Sequence, residues 1–359
     1  MNIGSITLEN NLFVAPMAGV TDRPFRTLCK KLGAGYAVSE MVTSKRELWN
    51  SLKTSRRADH TGESGPIAVQ IAGTDPAEMA DAARYNMDRG AQIIDINMGC
   101  PAKKVCQKWA GSALMQDEKL ALEIIEAVVA ACAPRHVPVT LKMRTGWCQQ
   151  VRNAPVIALA AQNAGVAMLT VHGRTREQGY HGQAEYDTIA QIKAAVSIPV
   201  VANGDIDSPA KARFVLEKTK ADALMVGRAA QGRPWIFREI SHFLETGHLL
   251  PAPATLDICQ WMTEHLHEHY ALYGEHTGVR SARKHIGWLV HRLPGGQAFR
   301  QTLNPLESTQ AQVSALQSYL TGLAQTYPLW PDSTAHKATE PSTTSSTGHD
   351  STMISRLAA

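Results

Sequence analysis

Eight short apolar runs recur through the first 230 residues, and their spacing constrains the possible folds more than any other feature of the chain. They are Leu12 to Ala15, Tyr36 to Val38, Ile67 to Ile71, Ile93 to Ile96, Val139 to Met143, Ala167 to Val171, Val200 to Ala202 and Ala223 to Val226. Runs this short, rich in β-branched residues and bounded by turn formers, read as buried strands. Segments of helical period separate them, among them Pro76 to Arg89, Lys119 to Ala133, Asn153 to Asn163, Tyr186 to Ala195 and Pro209 to Thr219. Asp75-Pro76 and Ser208-Pro209 set a capping side chain before a proline at the first helical position, which marks a helix start. Eight strands alternating with helices predict a (β/α)8 TIM barrel. A doubly wound open sheet is the rival, since periodicity does not report closure. The absence of a GxGxxG after the first run weakens its dinucleotide-binding form.

Beyond Phe237 the texture changes. Glu245 to Ala254 is rich in Pro and Gly and reads as a linker. Leu256 to Tyr273, Val279 to Leu293 and Thr309 to Ala324 then carry helical period without strand signals, which predicts a small C-terminal helical bundle. After Trp330, twelve of 29 residues are Ser or Thr, too few apolar groups to support a core. The expected division is a barrel over residues 1–245, a helical domain over 255–327 and a disordered tail over 328–359. With 44% hydrophobic and 19% charged residues the rest is an ordinary globular composition. A net charge of +4 permits a polyanionic partner without demanding one. The six cysteines show no CxxC pair, and no apolar run approaches membrane length. A cytoplasmic protein with reduced thiols, no membrane contact and a monomeric state is expected.

Chemistry gathers where the fourth run ends. Ile93 to Met115 reads IIDINMGCPAKKVCQKWAGSALM, an apolar strand discharging into Asn97, Gly99, Cys100 and Pro101. In parallel α/β proteins the loops at the carboxyl ends of strands carry the active site. A thiol held there, with Lys103, Lys104 and Lys108 beyond it, suits a nucleophile or a proton donor. The string resembles the signature of the tRNA-dihydrouridine synthases, flavin enzymes that reduce uridines in tRNA. PMAGVTDRPFR, VQIAG, LKMRTGW, VHGRT, VANGDI and VGRAAQGRPWIF follow the same family's order between Ala15 and Phe237, about two thirds of the chain. In detail the resemblance is to the bacterial B subgroup.

The small-residue turn after the seventh run and Gly227-Arg228 after the eighth are what a phosphate site needs in a barrel. The resemblance makes that phosphate part of FMN, held by Pro16, Met17, Ala18, Gln70, Lys142, His172, Asn203, Gly204, Asp205, Gly227 and Arg228, with NADPH or NADH as reductant. A lysine in mid-strand, as Lys142 is, needs a partner to be buried. Asp205 has a rival reading as a helix cap. The resemblance also makes Cys100 the acid that protonates C5 of the uracil. Its ordinary pKa keeps it protonated, while neighbouring lysines pull it down. Asn97 and Arg144 are expected at the uracil edge.

A base stacked inside tRNA must be extruded to reach such a mouth. Phosphate contacts are expected from Lys103, Lys104, Arg174 and Arg176, and from Arg280, Arg283 and Lys284 in the stretch SARKHIGW and its flank, which resembles the family's tRNA-binding region. The subgroup resemblance points to the D-loop, at position seventeen. His265, His267 and His269 follow an i, i+2, i+4 pattern that spreads around a helix, so no metal is expected. Two other functions stay open on the residues: a small-molecule FMN oxidoreductase of the dihydroorotate or dihydropyrimidine dehydrogenase type, and a tRNA-binding chaperone without catalysis.

Overall fold

The computed structural model describes residues 1–106 and 110–331 of the chain, with the side chains of Lys103 and Lys104 outside that description. The strands are Leu12–Val14, Tyr36–Ala37, Val42–Thr43, Ala68–Ala72, Ile93–Met98, Val139–Arg144, Met168–His172, Val200–Asn203 and Ala223–Val226, all parallel in one sheet. Leu224 pairs with Leu12, and Phe13 with Tyr36, which joins the last strand to the first and the first to the second. A parallel bridge from Val38 to Ala68 closes the ring, and closure excludes the open sheet.

The second strand differs from its expected form. It is broken at Ser39–Met41 and resumes at Val42–Thr43 against Ile71 and Ala72. The cause is polar: Ser39 Oγ takes the amide of Gln70 at 3.1 Å, while buried Glu40 accepts the amide of Gly19.

Alternation along the strands sorts the core into two layers. Phe13, Tyr36, Ala68, Ile93, Met168, Val201, Ala223 and Met225 face inward and plug the amino-terminal half of the barrel. Asn2–Ile3 and Ile6–Thr7 form a hairpin that adds Ile3 to that plug. Leu12, Val14, Val69, Ile94, Leu141, Leu169, Val200 and Leu224 face outward, against the surrounding helices. A period of two therefore leaves polar side chains only in the carboxyl-terminal layer of the interior. The caps at Asp75 and Ser208 are present, accepting from the amides of Glu78 at 2.9 Å and Lys211 at 3.2 Å. Each contributes about 1 kcal/mol to its helix. Asp22 caps a further helix, Arg23–Lys31, in the same way.

After helix Ile236–Thr246 the chain forms Thr255–Tyr273, Glu275–Val290, Gly296–Leu303 and Thr309–Thr326. The third of these was not expected, and the second ends three residues sooner than Leu293. Ile258, Met262, Leu266, Ile286, Leu303, Leu316 and Leu320 make their core, which Leu28, Leu32 and Trp235 of the barrel join. Residues 328–331, counted with the tail in the expected division, are held in place. Leu329 bridges antiparallel to Ala254, the Thr255 amide donates to Pro328 O and the Trp330 amide to Pro253 O, both at 2.9 Å. Trp330 packs edge-on against Trp235. Residues 332–359 lie outside the described residues.

Candidate active site

Strand register assembles the polar layer. Gln70 lies beside Asp95, Asp95 beside Thr140, Asn97 beside Lys142, and His172 between Arg144 and Asn203. All are on inward-facing positions of neighbouring strands, so their side chains meet at one mouth. Asp95 sits lowest and is buried. It accepts from Thr140 Oγ1 at 2.6 Å and Gln70 Nε2 at 2.7 Å. Burial pushes its carboxyl up to about 6 despite those two donors. Sequence reading passed over Asp95 because it sits within an apolar run; the inward period of Ile93, Asp95 and Asn97 was the available signal.

Asn97 turns this ladder into a mount for Cys100. Its Nδ2 donates to Gln70 Oε1 at 2.7 Å, and its Oδ1 accepts from the amides of Gly99 at 3.1 Å and Cys100 at 3.0 Å. Expected at the uracil edge, Asn97 uses both ends of its amide within the protein, as Gln70 and Asn203 do, and so also positions Cys100. Ser112 fixes the same turn from the other side, donating through Oγ and N to Cys100 O. The thiol is partly buried, and burial raises its pKa, with the nearby charges of Arg144 and Lys142 opposing and losing. Burial of the thiol thus favours its protonated form.

Arg144, also expected at the uracil edge, has a structural task in the loops. It is buried, and donates to the carbonyls of Gly99 at 2.8 Å, Thr175 at 2.7 Å and Gly179 at 2.8 Å, which ties three loop segments together. Lys142 is different. Its ammonium donates to Asn203 Oδ1 at 3.1 Å, its single hydrogen bond among the described residues. Burial, with Arg144's charge added, pulls it down to about 8. Burial and the surrounding cations hold His172 well below its usual range, so it is neutral. The backbone of Gly204 lies against that ring with φ +128°, and a Cβ there would come within 2.9 Å of His172 Cδ2; only glycine fits.

Arg174, expected at tRNA phosphate, is committed within the protein. It is 2% exposed and makes a two-toothed ion pair with Asp205 at 2.9 and 2.6 Å, with further bonds to the carbonyls of His181 and Gly182. Asp205 does not cap the following helix, a task Ser208 performs. Burial favours its neutral form, but Arg174 and the Ala184 amide outweigh that and hold it below the usual range. Arg228, half exposed, donates to Asp205 at 3.0 Å and stacks over Tyr180, a ring the sequence did not single out. Pro16, Met17 and Ala18 line the loop after the first strand, where the Met17 amide donates to Thr21 Oγ1. Gly227 lies beside that loop, so that a Cβ on it would rest 3.5 Å from Ala15 and 3.6 Å from Met17.

Among the basic residues assigned to RNA, Arg280 is exposed and Arg176 is half-buried over Trp147. Arg283 reaches Leu306 O. Lys284 turns the other way and donates to Gly19 O, on the loop that carries Pro16 to Ala18. It therefore belongs to the contact between helices and barrel, not to an outward face. Lys103 and Lys104 stand on a short helix, Lys103–Cys106, while Lys108 lies outside the described residues.

Closed barrel, plugged base and a polar mouth presenting a mounted thiol define a (β/α)8-barrel enzyme. The model of the family described as "Dihydrouridine synthase (Dus)" matches residues 13–324. The tRNA-dihydrouridine synthase B of Xanthomonas axonopodis pv. citri is 57% identical over 90% of this chain and 96% of its own, and that of Pseudomonas aeruginosa 59% identical over 89% and 95%. A solved 2-naphthoyl-CoA reductase complex superposes with a TM-score of 0.52 at 12% identity, over 67% of this chain and 51% of that one, a likeness of fold alone. The chain belongs to the dihydrouridine synthase family.

Proposed function

We propose that the protein reduces the C5–C6 double bond of a uridine in the D-loop of tRNA, at position seventeen, with FMN bound at the barrel mouth. The observation that carries this reading is the mounting of Cys100 by Asn97, which presents a protonated thiol beside Lys142. The names and high identity of the relatives support tRNA as substrate. Two features fit a flavin. Lys142 has N–H donors to spare for an anionic or carbonyl-edged ring, and Gly227 leaves a hollow beside Ala15 and Met17 that a side chain would fill. Arg174 and Arg228 outnumber Asp205, so the neighbourhood of an incoming phosphate keeps net positive charge.

FMN, when bound, supplies a hydride to C6 of the uracil, with NADPH or NADH as the source of electrons. Cys100 Sγ delivers its proton to C5, and the thiolate left behind regains one from solvent. Gln70, Asn203 and His172 orient the ring, and Arg144 and Asn97 keep the Cys100 turn from drifting. Residues 255–327 form the tRNA-binding domain, with Arg280, Arg292 and Arg300 exposed to phosphate. Among the described residues no helix is long and apolar enough to cross a membrane; the reading takes the protein as a monomer working in the cytoplasm.

The test is dihydrouridine formed in tRNA incubated with the enzyme and NADPH. Cys100→Ala is expected to keep its yellow colour and NADPH oxidation while losing about 10²–10⁴ in the rate of dihydrouridine formation, the usual effect of a positioned acid. Equal turnover by the variant would remove Cys100 as the donor. Unchanged uridine with flavin bound, or turnover of free uracil in its place, would overturn the substrate.

A further inference from the structure

A second cluster of buried polar groups lies on the seam between barrel and helices. Helix Thr255–Tyr273 carries His265 and His269 one turn apart on one face, and helix Glu275–Val290 brings His285 opposite them. His267, whose position suggested a spread around the helix, is exposed and takes no part. The three rings are 3%, 0% and 2% exposed, and one nitrogen from each lies within 4.8 Å of the others. Asp22 joins from the barrel side. Its Oδ1 caps helix Arg23–Lys31 through the Phe25 amide, and its Oδ2 stands 3.5 Å from His269 Nδ1. Rings of Phe25, Tyr273 and Trp288 wall the cluster.

Hydrogen bonding fixes the tautomer of His269. Ser281 Oγ donates to Thr277 O at 2.7 Å, so it accepts from His269 Nε2, also at 2.7 Å. In the neutral ring Nδ1 then aims a lone pair at a carboxylate oxygen, two acceptors with nothing between. Nε2 of His285 is also buried without a hydrogen-bond partner, and His265 has no more than the backbone of Pro24 within reach. Such groups cost about 1–3 kcal/mol each when left unmade. One proton on His269 would satisfy Asp22 and leave the other two rings as they are.

We propose that His265, His269 through Nδ1, and His285 through Nε2, with Asp22 as the fourth ligand, bind a divalent transition metal of the zinc class. Neutral imidazoles with one carboxylate suit that ion, and four protein ligands make a closed, structural site. Metal–nitrogen distances of about 2.0–2.1 Å put tetrahedral ligands roughly 3.3 Å apart, so rotation of the rings by on the order of an ångström closes the site. Ser281 already orients the His269 ring from behind, as the outer partner of a metal-bound histidine does. The ion would pin position 22 of the barrel to two helices more than 240 residues later in the chain.

The experiment uses the full chain, stripped with chelator, loaded with Zn(II) or Co(II), and desalted. About one ion per chain is expected by mass spectrometry, with the intense visible bands of four-coordinate Co(II). The thermal midpoint of the parent should rise with Zn(II). His265→Gln with His285→Gln should lower metal affinity by at least about tenfold, in line with loss of two ligands. No retained ion in the parent overturns the proposal and leaves a water or a proton as occupant. Thiolate-to-cobalt charge transfer in the parent overturns it in favour of a cysteine site. That spectrum decides the matter even if the double variant fails to fold.

Discussion

Asp95 at the barrel mouth and Asp22 at the helical seam are both fully buried carboxylates, and their surroundings differ completely. Asp95 lies between two hydroxyl and amide donors, in a ladder through Gln70 and Asn97 in which each link is closed. Asp22 has one oxygen on a backbone amide and the other against imidazoles that do not pair among themselves, with the Tyr273 hydroxyl close by. Burial raises both pKa values. At Asp95 it wins, whereas at Asp22 His269 and its two companions outweigh it and the carboxyl is held low. A closed ladder of neutral dipoles fixes geometry without needing charge. A cluster of lone pairs around a carboxylate is a site shaped for a cation.

The largest test of the closed mouth is Arg174→Ala. Removing one partner of a buried pair costs about 3–5 kcal/mol, and the partial exposure of Asp205 places this case at the lower end. Urea unfolding measures it; a loss below 1 kcal/mol would mean the mouth is less tightly closed than Asp95's ladder suggests.

Next comes the sign of the pH dependence. Asp95 titrates near 6 in the folded chain and near 3.9 unfolded, so the folded state holds the extra proton between those values. Stability from this group therefore falls as pH rises from about 4 to 6, by roughly 3 kcal/mol in all. Asp95→Asn should remove that slope in denaturation series across the window. Asp22 acts oppositely: its contribution is present above its unfolded pKa and lost as pH falls through the lower folded one. Finding the same sign at both carboxylates would break the comparison.

Asn97→Ala releases the Gly99 and Cys100 amides and Gln70 Oε1. A loss of about 1–2 kcal/mol in stability is expected, with a larger proportional fall in dihydrouridine formation than in NADPH oxidation. Equal falls in the two rates would show that Asn97 does not act through Cys100. Smallest is Arg280→Ala on the exposed helical face. One phosphate contact fewer should lower the salt slope of tRNA binding by about 0.7–0.9 and leave NADPH oxidation unchanged. Titration of binding against salt concentration reads it directly.

Barrel and helices were legible because both rest on periodicity, which a single sequence carries in full. The break in the second strand was not, since Ser39 and Glu40 owe their conformation to Gln70 and Gly19 from other segments. Cys100 stood out through its place just past a strand end, and Lys142 as a cation in the middle of an apolar strand. The arginines were harder. Arg174 and Arg176 stand two apart in one loop, yet the first meets Asp205 from the next strand and the second turns outward over Trp147. The histidines carried half a message: the one-turn spacing of His265 and His269 is in the sequence, but His285 and Asp22 arrive only through folding.

The clasp of Ala254 with Leu329 gives the helical segment a single point of attachment for both of its ends. Mechanically it is a loop closed by a latch, 329 − 254 = 75 residues round, and closing a flexible loop of that length costs about 4 kcal/mol beyond a constant. A pull at Pro331 meets the Trp330, Leu329 and Thr255 contacts one after another, as a zipper does, before it loads any helix. The latch thus shields the helices from tension on the chain end, and the Trp330–Trp235 contact fastens it to the barrel.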